Sequence, residues 1–365
     1  MAKTDHYLLI IIALIIFLGI LSLYSVSLPL SLKITKEKNY FFWHQILYGY
    51  LPGFFLFLIF LNIKLSFLKK ISYFLFLGTV ILNLLVFVPF FAKRGGGATR
   101  WVKIDQNFSF QPFEISKPLI LLFFANYLSE PNINKKKEFL RLLKVSFFLF
   151  IFILVLFFQS NLSNIIVLSG CFLILFLINQ KSIKYFLFLV FLCLLIIVVA
   201  ALTSPYRQNR ILTFLRPEKD LLGGGFQINQ VLMAIGSGKV LGEGFGMSDY
   251  KFFDLLPKMI FDAPFAIFAQ ETGFIGSSFL LFLFLIFFIR CVKISKEMKD
   301  SFKKSIVWAI GSWIVLQFLF NVGSMLHLLP VAGIPLPFFS YGGSAIIGQM
   351  IGLGLLLNAS KKDQN

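Results

Sequence analysis

Apolar residues form long blocks along the whole chain, and short segments between them hold most of the charged residues. A block of about 20 apolar residues is long enough for a helix to cross a bilayer. The pattern therefore predicts an all-α polytopic membrane protein with about ten transmembrane helices, forming a single integral membrane domain over residues 1–365. The predicted spans are 7–28, 41–62, 71–92, 112–128, 145–160, 162–179, 185–203, 263–289, 305–329 and 335–358.

The composition supports this class. Hydrophobic residues make up 58% of the 365 residues, and 49 of them are phenylalanine. The first block is longer than the apolar core of a signal peptide and no A-x-A cleavage site follows it, so we expect it to be retained as a span. Cys171, Cys193 and Cys291 lie far apart in apolar blocks or at their ends, which favours small apolar fillers over a disulfide framework or zinc site.

The net charge of +18 would be compatible with nucleic-acid binding, but its distribution indicates membrane topology instead. Nineteen of the 34 basic residues lie at the termini and in the short segments 62–70, 129–144, 180–184 and 290–304. Positive charge accumulates on the cytoplasmic side of short loops, so both termini are predicted to be inside. An anionic ligand at the bilayer surface is also compatible with the charge.

The same topology leaves one long segment outside, about 204–262, between the seventh and eighth spans. A connection of about 60 residues is usually functional. Its glycine-rich part, GSGKVLGEGFG, does not fit a phosphate-binding loop, because Lys239 is followed by Val240 and the spacing before it is wrong. Tight turns or close backbone packing are the expected role of these glycines.

Asp262 ends this segment, with no basic residue within three positions on either side. A carboxylate beside an apolar span is costly to keep charged, so it requires an explanation. One interpretation is a helix N-cap before Pro264. The other is a general base in a cavity near the outer surface, and the two roles are compatible.

Other charged residues near the predicted outer surface are candidate ligands. Glu114 and Lys117 are three positions apart and so share a helix face, as a salt bridge or as part of a site. Arg207 and Arg210 are either a solvated charge run or a phosphate clamp. Arg100 and Trp101 fit an interfacial anchor as well as a site.

Two further features concern the interior of the predicted bundle. The segment PVAGIPLPFFSYGGS, 330–344, has too many prolines and glycines for an ordinary hairpin, so its backbone must be irregular and must line a cavity or be buried in protein. Polar side chains also lie within spans, where we expect hydrogen bonds between helices. They are Asn83, Gln159, Asn164, Gln317, Asn321 and Gln349.

Several long motifs resemble one family. The C-terminal stretch reads GIPLPFFSYGGSAIIGQMIGLGLLLN, residues 333–358, and is similar to the C-terminal signature of the SEDS family (shape, elongation, division and sporulation). RWVKI, FSFQPFEISK, PYRQNRILTFLRP, GGGFQINQVLMAIGSG and D-x-x-F-A-x-x-x-x-E-T-G-F-I-G resemble other family segments in the same order. LPFF after GIP and the final LLLN are closer to the FtsW and SpoVE branch than to RodA.

The resemblance implies a peptidoglycan glycosyltransferase in the cytoplasmic (inner) membrane, with its active site facing outward. Its substrate would be lipid II, a disaccharide pentapeptide on undecaprenyl pyrophosphate, and its partners a class B penicillin-binding protein and other divisome or elongasome proteins. Asp262 matches the essential aspartate. The implied substrate-binding residues are Glu114, Lys117, Arg100, Trp101, Arg207, Arg210, Gln227, Ser340 and Tyr341.

No soluble cofactor is implied, although a magnesium or manganese ion is a further candidate for charge stabilisation. The chain departs from the family pattern where polar neighbours of Asp262 are lost, at Asn161 where an acid is usual, and at Gln270. Two alternatives therefore stay open. They are a weakly catalytic scaffold that activates its transpeptidase, and a lipid II flippase that needs no base at Asp262.

Overall fold

The computed structural model describes residues 5–95, 98–105, 109–130, 135–179, 182–203, 205–220, 223–249, 259–331 and 333–361. In this part of the chain, a long helical segment lies at the position of each of the ten predicted spans. These segments are α1 His6–Thr35, α2 Tyr40–Gln45 continued through a π-helical turn Ile46–Tyr50 into α3 Leu51–Asn62, α4 Leu65–Leu84, α5 Pro112–Ser129, α6 Lys135–Phe158, α7 Leu162–Asn179, α8 Ile183–Leu202, α12 Pro264–Glu297, α13 Ser301–Met325 and α14 Gly343–Ala359.

Seven of these segments are long and apolar enough to cross a membrane, and α8 and α14 contain shorter apolar helices. Large apolar side chains such as Phe17, Phe74 and Phe282 point outward, as expected for surfaces in contact with lipid. Buried apolar residues from Leu8 to Ala359 form one contiguous core. The chain is therefore a multi-pass membrane protein.

α13 is central to this core. It packs against α5, α7, α12 and α14, and most of its side chains are buried. A helix surrounded by other helices can present polar side chains inward, where neighbours satisfy them. Gln317 and Asn321 on α13 do so, and they become important for the site.

The prediction of an all-α polytopic membrane protein is confirmed, with one small region of sheet as an exception. Residues after α4 form a small antiparallel sheet of β1 Ala92–Gly95, β2 Ala98–Lys103 and β3 Ser109–Phe110. The third span also ends at Leu84 instead of position 92, and a 3-10 turn Leu85–Phe87 follows it. Pro89 explains this end, because a proline disfavours helix in the residue before it.

The described residues of the segment 204–262 form three helices, α9 Pro205–Leu215, α10 Gly224–Ser237 and α11 Met259–Asp262. The Asp220 carboxylate accepts a hydrogen bond from the Gly224 amide at 2.7 Å. This bond links the connection that follows α9 to the first residue of α10. α10 packs against α12, which holds this segment on the helical bundle.

The glycine-rich stretch after α10 docks into a break in α12. The break lies at Gly273, which has a φ of 66°. Four backbone hydrogen bonds replace the interrupted ladder, for example Glu243 N to Gln270 O at 3.0 Å and Phe274 N to Lys239 O at 2.9 Å. A Cβ on Gly242 would lie 2.2 Å from Glu271 O. The prediction of close backbone packing or tight turns is confirmed for four of these glycines, since Gly238 and Gly242 pack closely on the α12 backbone and Gly242, Gly244 and Gly246 have positive φ.

We expect Gly242→Ala to destabilise the protein, because Gly242 has a φ of +84° and no room for a side chain. The cost is about 1–3 kcal/mol, visible as a lower apparent Tm in detergent. Gly78→Ala is the matched control, since a Cβ there meets no atom within 4 Å and alanine favours helix. Equal Tm values for the two variants would contradict the docking argument.

Candidate active site

Asp262 lies at the end of α11, directly before the helix that carries the break. The residue at the N-cap of α12 is Ala263, which makes no side-chain cap bond. The interpretation of Asp262 as that N-cap is therefore wrong. The physical reason is that residues 259–262 form a helical turn of their own, so the change of chain direction falls at Ala263. The Asp262 side chain is half-buried.

Residues 333–342 form an irregular segment beside Asp262, as the prolines predict. They displace the start of the last helix from the predicted position 335 to Gly343. Gly333, with a φ of +59°, faces the carboxylate, since a Cβ built on it would lie 4.0 Å from Asp262 Oδ1. An irregular backbone at membrane depth must find hydrogen-bond partners in the protein.

Side chains from neighbouring helices supply those partners. Asn321 Nδ2 donates to Ile334 O at 2.7 Å and to Asp262 O at 3.2 Å, so one amide joins α11 to the irregular segment. Gln317 Nε2 donates to Pro335 O at 2.9 Å. Phe338 N donates to Gln349 Oε1 at 2.9 Å. Hydrogen bonds between helices were expected for Gln317, Asn321 and Gln349. These three side chains bond to backbone groups of the irregular segment.

Ser340 and Tyr341 occupy different positions in this segment. Ser340 is buried, and its hydroxyl accepts the Leu336 amide at 2.8 Å. Tyr341 is half-buried and donates its amide to Ile260 O at 2.8 Å, while its ring packs edge-on against Phe261 at 5.5 Å. The structure therefore places Tyr341 against α11, the helical turn that carries Asp262. Ser340 is buried inside the irregular segment 333–342.

Glu114 and Lys117 form a buried ion pair. Lys117 Nζ lies 2.8 and 2.9 Å from the two carboxylate oxygens, and both residues are 2% exposed. Lys117 also donates to Gln317 Oε1 at 3.4 Å. Because Gln317 holds Pro335, the ion pair is connected to the irregular segment. The pairing expected from the spacing is present, and it lies in the bundle interior.

A cavity of about 180 Å³ has Pro330 and Val331 in its wall, close in sequence to Gly333. Its walls include Arg100, Arg210 and apolar side chains of α7 and α8. Arg210 donates to Val331 O at 3.2 Å, and Arg100 donates to the carbonyls of Gln159 and Ser160. Two cations at the end of an apolar cavity fit an anionic group attached to a hydrocarbon chain.

Among the remaining predicted ligands whose side chains are described, Trp101 and Gln227 do not line this cavity. Trp101 is exposed on β2, and Gln227 is half-buried on α10. Arg207 lies in α9, but its side chain is outside the described residues. Within the described ranges, no group of three or more His, Cys, Asp or Glu side chains could hold a metal ion. These residues do not fit the magnesium or manganese site considered from the sequence.

Two departures from the family pattern have local partners. Asn164 Nδ2 donates to Asn161 Oδ1 at 3.1 Å and to Glu114 Oε1 at 3.5 Å. Gln270 Nε2 donates to Glu243 Oε2 at 2.7 Å. Both amides are therefore integrated into polar networks, one at the ion pair and one at the α12 break.

Sequence analysis missed two residues at the predicted outer end of the second span. Gln45 Oε1 accepts the Gly342 amide at 3.0 Å, and His44 Nδ1 lies 2.8 Å from the Tyr341 hydroxyl. The sequence contained a signal for these two residues, because His44 and Gln45 are a polar pair at the end of the otherwise aromatic stretch YFFWHQ.

Comparison with known proteins gives consistent results at this point. A family model described as cell cycle protein, covering FtsW, RodA and SpoVE, matches residues 5–365. The probable peptidoglycan glycosyltransferase FtsW of Wigglesworthia glossinidia brevipalpis is 33% identical over 94% of this chain and 90% of the relative. Stage V sporulation protein E of Bacillus subtilis is 33% identical over 98% and 97%.

Two solved structures share the fold. One is a chain from a peptidoglycan synthase complex, with a TM-score of 0.77, 22% identity and 98% of each chain covered. The other is RodA of Thermus thermophilus, with a TM-score of 0.72, 21% identity and 99% of each chain covered. With a family model that spans nearly its whole length, this chain belongs to the FtsW/RodA/SpoVE family.

Proposed function

We propose that this chain is a peptidoglycan glycosyltransferase that polymerises lipid II, with Asp262 as the general base. The observation that carries the proposal is the half-buried Asp262, whose backbone carbonyl is bonded to Asn321 and whose carboxylate faces Gly333 of the irregular segment 333–342. A general base must be held in place within reach of the proton it removes. Full-length relatives named as probable peptidoglycan glycosyltransferases support the reaction type.

In this mechanism, Asp262 accepts the proton from the 4-hydroxyl of an acceptor N-acetylglucosamine. The oxygen attacks C1 of the donor N-acetylmuramic acid, a glycosidic bond forms with inversion, and the bond from C1 to the pyrophosphate breaks. Undecaprenyl pyrophosphate leaves with the electron pair. The charge that develops on it must be stabilised by fixed cations.

The cavity with Arg100 and Arg210 provides such cations. Its apolar walls from α7 and α8 suit the start of a polyprenyl chain, and Arg210 is tied to Val331, two residues from Gly333. Arg207, on the same helix as Arg210, and the exposed Trp101 and Gln227 are further candidates for substrate contact. The buried Glu114–Lys117 pair acts at a distance, by holding Gln317 and thus the irregular segment.

The proposal also includes the location and the partner. The bias of basic residues favours both termini on the cytoplasmic side of the cytoplasmic membrane, with Asp262 at the outer face. A class B penicillin-binding protein would cross-link the strands, consistent with the synthase complex that shares the fold.

Asp262→Asn is expected to abolish polymerisation, because the amide keeps the size of the side chain but cannot accept the proton. General-base loss lowers rates by about 10²–10⁴. The assay follows fluorescent lipid II with the purified chain and its class B penicillin-binding protein. Asp249→Asn, an exposed aspartate of the same outer segment, is the control. Equal glycan ladders from Asp262→Asn and wild type would overturn the base assignment, and ladders from neither would favour the scaffold or flippase.

Arg210→Gln is expected to raise the KM for lipid II by about tenfold or more, the loss typical of a charge-assisted hydrogen bond. Arg216→Gln is the matched control, since Arg216 is exposed just after α9 and does not line the cavity. An equal effect of both changes would point to general surface charge instead of a bound anion.

The ion pair makes a separate prediction for stability. Lys117→Met or Glu114→Gln alone leaves a buried charge without its partner, which costs about 3–5 kcal/mol. The double variant removes both charges and should recover most of that loss. Thermal unfolding of the three variants in detergent tests this. A double variant less stable than either single variant would show that the pair itself stabilises the fold.

A further inference from the structure

An aromatic ladder lies at the end of the second span nearest Tyr341. Tyr40, His44 and Tyr48 follow one another at four-residue spacing and therefore share a helix face. The His44 ring is 5.9 Å from Tyr40 and 4.7 Å from Tyr48, with tilts of 33° and 38°. Trp43 flanks the ladder and is 56% exposed.

These rings line an open groove of about 740 Å³, a volume typical of ligand sites. Polar groups enter it from the chain just before α2, where Glu37 and Asn39 form part of its wall. The Asn39 Oδ1 atom is buried and has no hydrogen-bond partner among the described residues. An unpaired buried acceptor is rare in proteins, and together with Glu37 it makes this wall of the groove polar.

A chain of contacts connects the groove to the segment that carries Asp262. His44 is bonded to the Tyr341 hydroxyl at 2.8 Å, and Tyr341 touches Phe261, the neighbour of Asp262. The backbone also approaches closely, since a Cβ on Gly49 would lie 3.2 Å from the Cα of Gly343. Gly49 belongs to the π-helical turn Ile46–Tyr50, and such turns occur frequently at functional sites.

The chemistry of the lining distinguishes between possible ligands. The described residues that line the groove include Glu37 but no lysine or arginine, so the lining offers a phosphate no cationic partner, whereas the Arg100–Arg210 cavity has two arginines in its wall. A hydrocarbon chain would leave Asn39 and Glu37 unsatisfied. A neutral sugar suits both features, because its C–H faces pack on aromatic rings while its hydroxyl and acetamido groups form hydrogen bonds.

We propose that the groove formed by Tyr40, Trp43, His44 and Tyr48 binds the growing glycan strand, a linear polymer of N-acetylated hexosamines, beside the site of bond formation. The inference rests on the proposed polymerase function and adds a binding site to it. A strand that stays bound between additions is extended repeatedly, so the groove would set product length. Tyr341 connects the bound strand to the segment that carries Asp262.

Trp43→Ala and Tyr48→Ala test the proposal through two measurements. The first is strand length in glycan ladders, compared at matched consumption of lipid II, where we expect strands shortened severalfold. The second is binding of a soluble hexasaccharide of alternating N-acetylglucosamine and N-acetylmuramic acid to the purified chain in detergent, where we expect a dissociation constant raised by about fivefold. Phe90→Ala is the control, since Phe90 is an 83% exposed ring in the turn that follows the third span.

Strand lengths and hexasaccharide affinity that match those of Phe90→Ala would overturn the inference and leave the rings as membrane-interface residues. Glu37→Gln provides a second variant that conserves the side-chain volume, and it should weaken hexasaccharide binding while leaving the apparent Tm unchanged. Failure of the polymerase function is distinguishable, because wild type would then make no ladder at all. Hexasaccharide binding is measured without turnover and therefore tests the groove in either case.

Discussion

The need to satisfy the irregular backbone of residues 333–342 inside a helical bundle governs the rest of this structure. Water is absent from the hydrocarbon region, so each exposed amide or carbonyl requires a protein partner. Side-chain amides supply several of them, from Asn321 and Gln317 on α13, Gln349 on α14 and Gln45 on α2. Three helices of the bundle are thereby tied to one segment, and this segment can hold a fixed shape.

That fixed shape positions the candidate base. Asn321 bonds at once to the carbonyls of Ile334 and Asp262, so the turn of helix before α12 follows the irregular segment. The first part of α12 is itself bounded by the break at Gly273, where the glycine-rich stretch replaces the lost helical bonds. Asp262 is therefore fixed from both directions, by a side-chain amide on one side and a docked loop on the other.

The positions of the ten spans were predictable, because a bilayer imposes a minimum apolar length that any sequence must display. The prolines of 330–344 likewise predicted that the backbone before Gly343 is irregular. The sheet at 92–110 was not predictable, since its strands are short and its pairing depends on contacts after the third span. The roles of Gln317, Asn321 and His44 were also hidden, because a polar residue in a span shows a need for a partner but not which backbone group fulfils it.

In the proposed mechanism, the two candidate binding regions differ in charge. On the side of Val331, two arginines and apolar walls fit a lipid pyrophosphate. On the side of Tyr341, an aromatic groove with an acidic residue and no lining cation fits neutral sugars. An anionic lipid donor would therefore bind in only one orientation, with its leaving group toward the arginines. Because Gly333 and Tyr341 belong to the same irregular segment, the distance between the two binding regions is set by the same hydrogen bonds that hold the base.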